Sequence, residues 1–158
     1  MMHVAELNVG YARYPLDDPR IAAFMDNLDR VNALAERSPG FVWRLKSDGG
    51  NATDIPVPGD AQMIANLSVW QDVQSLGHYV FNTVHARFYE KGPAWFEGMA
   101  EPHFVMWHVP DGHTPTLAEA MEKLAHLRAH GSSDIAFGWD AVDMSAFRSC
   151  AEGEAAPA

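Results

Sequence analysis

Met63-Ile64-Ala65-Asn66-Leu67-Ser68-Val69-Trp70-Gln71-Asp72-Val73-Gln74-Ser75-Leu76 is the stretch on which the fold turns. Met63, Ala65, Leu67 and Val69 alternate with Ile64, Asn66, Ser68 and Trp70, the period-two pattern of a β-strand with two different faces. At Asp72 the period changes. A carboxylate able to cap is followed by Val73, Leu76, Val80 and Val84, which fall on one side when residues advance by about 100° each, as in a helix. A strand running straight into a helix at mid-chain belongs to a mixed α and β fold, and its flanks decide which one.

Upstream, Phe41, Trp43 and Leu45 alternate with Val42, Arg44 and Lys46 and predict a strand pairing antiparallel with 63–70. Between the two, residues 47–60 contain Gly49, Gly50, Pro56, Pro58 and Gly59 among polar residues and read as a long surface loop. Before that, Asp17-Asp18-Pro19 places a carboxylate ahead of a proline, which starts a helix at no cost in lost N–H bonds. Ile21, Phe24, Met25, Leu28, Val31 and Ala35 then form its buried stripe, and Ser38-Pro39-Gly40 stops it. The first strand is His3 to Val9, with Ala5, Leu7 and Val9 on one face and Val4, Glu6 and Asn8 on the other.

Downstream, Phe81, His85, His78 and Tyr89 form an aromatic and imidazole stripe beside the apolar side of the second helix. Lys91-Gly92-Pro93 interrupts that helix, Trp95-Phe96 follows in a short segment, and His103 to Val109 reads as a fourth strand. Thr116 with Glu119 three residues later is a capping box for a third helix ending near Gly131, with Leu117, Met121, Leu124 and Leu127 on its apolar side. Ala136 to Trp139 reads as one last short strand. The order βαββαβ predicts an α+β, ferredoxin-like sandwich of residues 1–148 with an antiparallel sheet, followed by a disordered tail over 149–158. Its two core helices cover one sheet face. The other face needs a partner, either a second copy packed sheet to sheet or the third helix.

Composition narrows the function. With 11 Lys and Arg against 21 Asp and Glu, the net charge of -10 repels phosphate backbones and anionic lipid, and no basic patch overrides it. Nucleic acid and membrane are therefore excluded as partners. Cys150 is the only cysteine, so neither an intrachain disulfide nor a cysteine zinc site forms, in keeping with a reducing cytoplasm. The N-terminus has no signal-peptide character, and no apolar stretch is long enough to span a bilayer. Glycine-rich nucleotide loops and the Gly-x-Ser-x-Gly elbow are absent from the sequence, which leaves nicotinamide, nucleoside triphosphate and serine-hydrolase chemistry unsupported.

Ala5-Glu6-Leu7-Asn8, the strand end Leu67-Ser68-Val69-Trp70, the helix carrying His85, Trp95-Phe96, and Val109-Pro110-Asp111-Gly112-His113-Thr114-Pro115-Thr116-Leu117-Ala118-Glu119 together resemble the domain of unknown function 3291 family over about residues 3 to 140. The resemblance implies a branch of the dimeric α/β barrel superfamily. Other branches of it include antibiotic-biosynthesis monooxygenases, haem-degrading monooxygenases, chlorite dismutases and aldoxime dehydratases. A homodimer and a small hydrophobic or aromatic ligand are implied with it, the fold more strongly than the reaction. The haem-degrading branch carries an asparagine on its first strand, matched here by Asn8, and a tryptophan on the second helix, where this chain has Tyr79. Its histidine iron ligand corresponds to a position about one helical turn, roughly 5.4 Å, beyond His85.

The resulting expectation is a cytoplasmic, homodimeric, monooxygenase-like enzyme, working without a cofactor or with haem. His85, Asn8 and Tyr79 are its catalytic candidates. Phe81, Tyr89, Trp95, Phe96, Trp70 and His78 are candidates for the substrate wall. In this picture His85 anchors the substrate or exchanges protons, Asn8 and Tyr79 hydrogen-bond, and the aromatics exclude water. One alternative is a haem protein with His85 as axial ligand. The other is a non-catalytic binding or structural dimer module, in which the aromatic stripe is interface. His126 and His130 have chelate spacing but no third ligand in view, so they read as a solvated helix face.

Overall fold

A computed structural model describes residues 2–12, 14, 18–46, 63–82, 96–97 and 101–145. Strand β1 (Met2–Ala12) lies at the centre of a five-stranded sheet. On one side it pairs antiparallel with β3 (Met63–Trp70), which pairs antiparallel with the edge strand β2 (Phe41–Arg44). On its other side it pairs with the two-residue β4 (Phe96–Glu97) and with β5 (Phe104–Pro110), both antiparallel. With helix α1 (Ala22–Arg37) between β1 and β2, and α2 (Val73–Asn82) after β3, this is the expected ferredoxin-like α+β arrangement. β4 is an addition to the expected strands. Residues 136–139 form only the single bridge Met106–Phe137 and a turn of 3₁₀ helix, not a strand.

The helix starts follow from the caps. The Asp18 carboxylate accepts a hydrogen bond from the Arg20 N–H at 2.8 Å, with Pro19 opening a 3₁₀ turn that leads into α1. Asp72 accepts from the Ser75 N–H at 2.7 Å at the start of α2. Thr116 Oγ accepts from the Glu119 N–H at 3.1 Å, half of the expected capping box, and starts α3 (Leu117–His130).

Alternation puts two apolar layers on opposite faces of the sheet. Val4, Trp70 and Met106 face Val31 and Ala35 of α1 and Leu76 and Tyr79 of α2. Ala5, Leu7, Val9, Ala65, Leu67, Val69, Val105, Trp107 and Val109 face Ala120, Leu124 and Leu127 of α3. This second layer is closed within one chain, Leu7 and Val105 being wholly buried. The face that called for a second copy is therefore taken by the third helix, the other of the two solutions its sequence allowed, and the chain is a three-layer α–β–α sandwich.

β2 departs from its reading. Simple alternation places Phe41, Trp43 and Leu45 on one face, but the register shifts between Phe41 and Trp43. Phe41 accordingly packs with the α1 and α2 layer, while Trp43 and Leu45 pack with the α3 layer. An irregularity that inserts a residue reverses every later side chain. It also turns Arg44, opposite Ser68, toward the helix side.

Candidate functional site

On the side of the sheet that faces α1 and α2, the register lines side chains up in rows across the strands. One row is Phe104, Asn8 and Asn66; the next is Met106, Glu6, Ser68 and Arg44; the third is His108, Val4 and Trp70. Polar residues here are forced by alternation to lie beneath helices, so they must find partners inside the protein. They find one another. Trp70 Nε1 donates to Ser68 Oγ at 2.9 Å, and Ser68 Oγ donates to Glu6 Oε1 at 2.6 Å. From the other end, Asn66 Nδ2 donates to Asn8 Oδ1 at 3.2 Å, and Asn8 Nδ2 donates to Glu6 Oε2 at 3.4 Å. Both chains of donors end on the Glu6 carboxyl, which is 5 % exposed. Burial pushes its pKa up from an ordinary 4.5 to about 7, against the smaller lowering effect of the bonds from Ser68 and Asn8.

Along β3, burial falls from Trp70 to Asn66. Trp70 is buried, stacked on Tyr79 with centroids 5.1 Å apart and met edge-on by Phe41 at 5.4 Å. Asn8 and Asn66 are half-buried. Among the described residues, Asn66 Oδ1 and one N–H of each amide have no further partner. Beside Asn8 stands Phe104, stacked at 5.3 Å on Trp139, whose ring meets Phe81 edge-on at 4.9 Å; all three are half-buried. The result is a pair of amides with open hydrogen-bonding capacity, flanked by an aromatic wall and floored by a buried carboxyl.

The predicted site residues distribute unevenly over this geometry. Asn8 lies at its centre, and Phe81 belongs to the aromatic wall. Tyr79 is a core residue: its hydroxyl donates to the Val31 carbonyl at 3.1 Å, which commits its one proton to α1, and burial, with the Glu6 charge adding to it, raises its pKa. A donor role toward substrate is thus not what the fold gives it. Trp70 is likewise enclosed in the core and offers no wall to a ligand. His78 is exposed instead of joining a stripe beside the core. His85, Tyr89 and Trp95, the loop 47–60 and the tail 149–158 lie outside the described residues, and Phe96 is described only as part of β4. Among the described residues no three His, Cys, Asp or Glu side chains come together to hold a metal, and no imidazole belongs to the hydrogen-bonded group around Glu6.

Asn66 and Glu6 carry more of the site than their sequence reading gave them. Asn66, Ser68 and Trp70 share one parity in β3, a signal that this face is polar beneath a helix. Pairing Asn66 with Asn8, however, needs the register, which a loop as long as 47–60 leaves undefined. No described helix is long and apolar enough to cross a membrane.

No curated protein matches the chain. Solved structures that resemble it at low identity include the following three. The protein of unknown function NE2512 from Nitrosomonas europaea has a TM-score of 0.48 at 14 % identity, covering 73 % of this chain and 97 % of its own. SnoaB, a cofactor-independent oxygenase from Streptomyces nogalater, has a TM-score of 0.44 at 15 % identity, with coverages of 71 % and 95 %. PA3566 from Pseudomonas aeruginosa has a TM-score of 0.45 at 14 % identity, with coverages of 69 % and 93 %. The domain of unknown function DUF3291 matches residues 3–150, nearly the whole chain, and the protein belongs to that family.

Proposed function

We propose that the protein is a small-molecule enzyme of the monooxygenase-like kind, acting on a hydroxylated aromatic compound held between the sheet and its helices. The observation that carries this reading is the half-buried amide pair Asn8 and Asn66, hydrogen-bonded to each other at 3.2 Å yet, among the described residues, still with open donors and an open acceptor, set beside Phe104, Trp139 and Phe81. A structural polar contact between strands has no need of unused capacity under a helix, and an oxygen-bearing planar ligand would fill it. In this reading the amides bind the ligand's ring oxygens, the aromatic side chains stack on its π-face, and the apolar surroundings keep out water. An electron-rich ring held in such a place meets dissolved oxygen directly.

The test uses a panel of mono- and dihydroxynaphthalenes, with tryptophan fluorescence to read binding and an oxygen electrode to read turnover. Wild-type protein is expected to bind at least one member and consume oxygen with it. Asn8→Ala and Asn66→Ala, with circular dichroism unchanged, are expected to lose at least tenfold in turnover, about 1.4 kcal/mol of transition-state stabilisation. A panel that neither binds nor reacts, or alanine variants that turn over like the wild type, overturns the proposal.

A further inference from the structure

The hydrogen bonds around Glu6 have a direction, and that direction depends on what Glu6 accepts. As the structure stands, Asn66 donates to Asn8 and Asn8 donates to Glu6 Oε2. Asn66 has thereby used one of its two N–H groups on Asn8, and its carbonyl oxygen is open among the described residues. Glu6 Oε1 is held separately by the Ser68 hydroxyl at 2.6 Å, itself oriented by the Trp70 indole N–H. A proton arriving at the carboxyl therefore belongs on Oε2, the oxygen with the long 3.4 Å contact. Once there, Oε2 becomes a donor and cannot accept from Asn8. The Asn8 amide must turn its oxygen to Glu6 and its N–H to Asn66. Asn66 then spends its oxygen on Asn8 and has both of its N–H groups open.

We propose that Glu6 is the specificity-determining residue of the site, setting through Asn8 whether Asn66 keeps its carbonyl oxygen for a ligand or spends it on Asn8. Ionised Glu6 leaves that acceptor open to a ligand oxygen that carries a proton, a phenol or enol; neutral Glu6 withdraws it and shifts the preference toward an oxygen that only accepts, a ketone or quinone. Glu6 acts here as a positioning residue and touches no ligand. The inference deepens the reading of the amide pair as a ligand site and rests on it. Among the described residues, the groups around Glu6 are these. Ser68 of β3 donates to Glu6 and itself accepts from Trp70, Met106 of β5 is apolar, Tyr79 of α2 has its hydroxyl on Val31 and feels the Glu6 charge, and Arg44 of β2 holds Glu36 of α1 at 2.9 Å. The raised pKa of Glu6 places the change near neutrality.

Two measurements on the full chain test this separately. The first follows the side-chain amide ¹⁵N–¹H signals of Asn8 and Asn66 in ligand-free protein between pH 5 and 9. Both are expected to shift together with a midpoint near that of Glu6, and Glu6→Gln, whose amide N–H takes the place of the protonated oxygen, is expected to hold them in the acid form at every pH. The second measures binding of 2-naphthol and 1,4-naphthoquinone at pH 5.5 and 8. Wild type is expected to favour 2-naphthol by about tenfold more at pH 8 than at pH 5.5, the worth of one exchanged hydrogen bond, and Glu6→Gln to lose that dependence and favour the quinone. Amide signals that stay still while Glu6 titrates, in the wild type alone, overturn the inference whether or not the variant folds. Probe preferences that ignore pH while the signals move overturn it as well. Signals that move in a protein binding neither probe leave the relay standing and instead overturn the proposed function.

Discussion

Glu6 is the residue at which alternation and chemistry pull in opposite directions. Its parity in β1 sends it under α2, where an ionised carboxyl loses its water. The consequence for stability has a definite sign. The unfolded chain releases the Glu6 proton near pH 4.5, whereas the folded chain holds it to about 7. Between those values the folded state binds the extra proton, so its stability is greatest below pH 4.5 and is lost as pH rises to about 7. At about 1.4 kcal/mol per pH unit, Glu6→Gln, which does not titrate, is expected to gain up to about 3 kcal/mol on the wild type between pH 4 and pH 8. Urea unfolding at pH 4, 6 and 8 measures this, and parallel stability curves for the two proteins would contradict it. Tyr79 gives the complementary prediction. With its hydroxyl spent on the Val31 carbonyl, Tyr79→Phe is expected to cost about 1 kcal/mol of stability and leave ligand binding unchanged. A loss of binding at full stability would restore the role its position on the second helix first implied. Sequence shows that Glu6 and Asn8 need partners; it does not show that each is supplied by the strand alongside.

At the scale of elements, the parts legible in the sequence were those written in local chemistry. The caps at Asp18, Asp72 and Thr116 and the two-faced pattern of β1 and β3 are all properties of a few neighbouring residues, and the structure reproduces them. β2 is the counterexample. Phe41, Trp43 and Leu45 alternate without fault, yet the shifted register divides them between two layers, because a strand irregularity answers to what the helices above and below require. The position of the Phe41 end is fixed by the turn before it. Gly40 has φ +84°, its carbonyl accepts from the Gln71 N–H at 2.7 Å, and a Cβ there would fall 2.4 Å from the Ser75 Cβ at the start of α2. Gly40→Ala is therefore expected to lose at least about 2 kcal/mol, from left-handed strain and overlap together. Ser75→Ala leaves that Cβ in place and should not rescue it, whereas Ser75→Gly should recover the overlap part alone. Equal rescue by both, read from thermal unfolding, would show that the hydroxyl and not the backbone approach is the constraint.

For the whole molecule the decisive element is α3, which converts a sheet with one open apolar face into a closed three-layer unit. Its start is pinned three ways: the Glu119 N–H bonds Thr116, while its carboxylate accepts from the Trp107 indole at 3.0 Å and lies 2.9 Å from His113 Nε2. Its far end is held by Arg128, which donates to the Pro102 carbonyl at 2.8 Å. Between these anchors Leu124, 1 % exposed, sits in one cluster with Leu7, Leu67 and Trp107. A second copy packed sheet to sheet would need the same surface, so the two arrangements exclude each other on this face. Leu124→Ala, which leaves a cavity but keeps the helix in place, is expected to cost about 2 to 5 kcal/mol without changing the molecule's size in solution. Leu124→Glu buries a charge that can be relieved only by lifting α3 away, uncovering Leu7, Leu67 and Trp107. That variant is expected to bind a hydrophobic dye and to sediment as dimers or larger species. Sedimentation of Leu124→Glu at the wild-type value with no dye bound would mean that α3 is not what keeps the sheet from pairing with another copy.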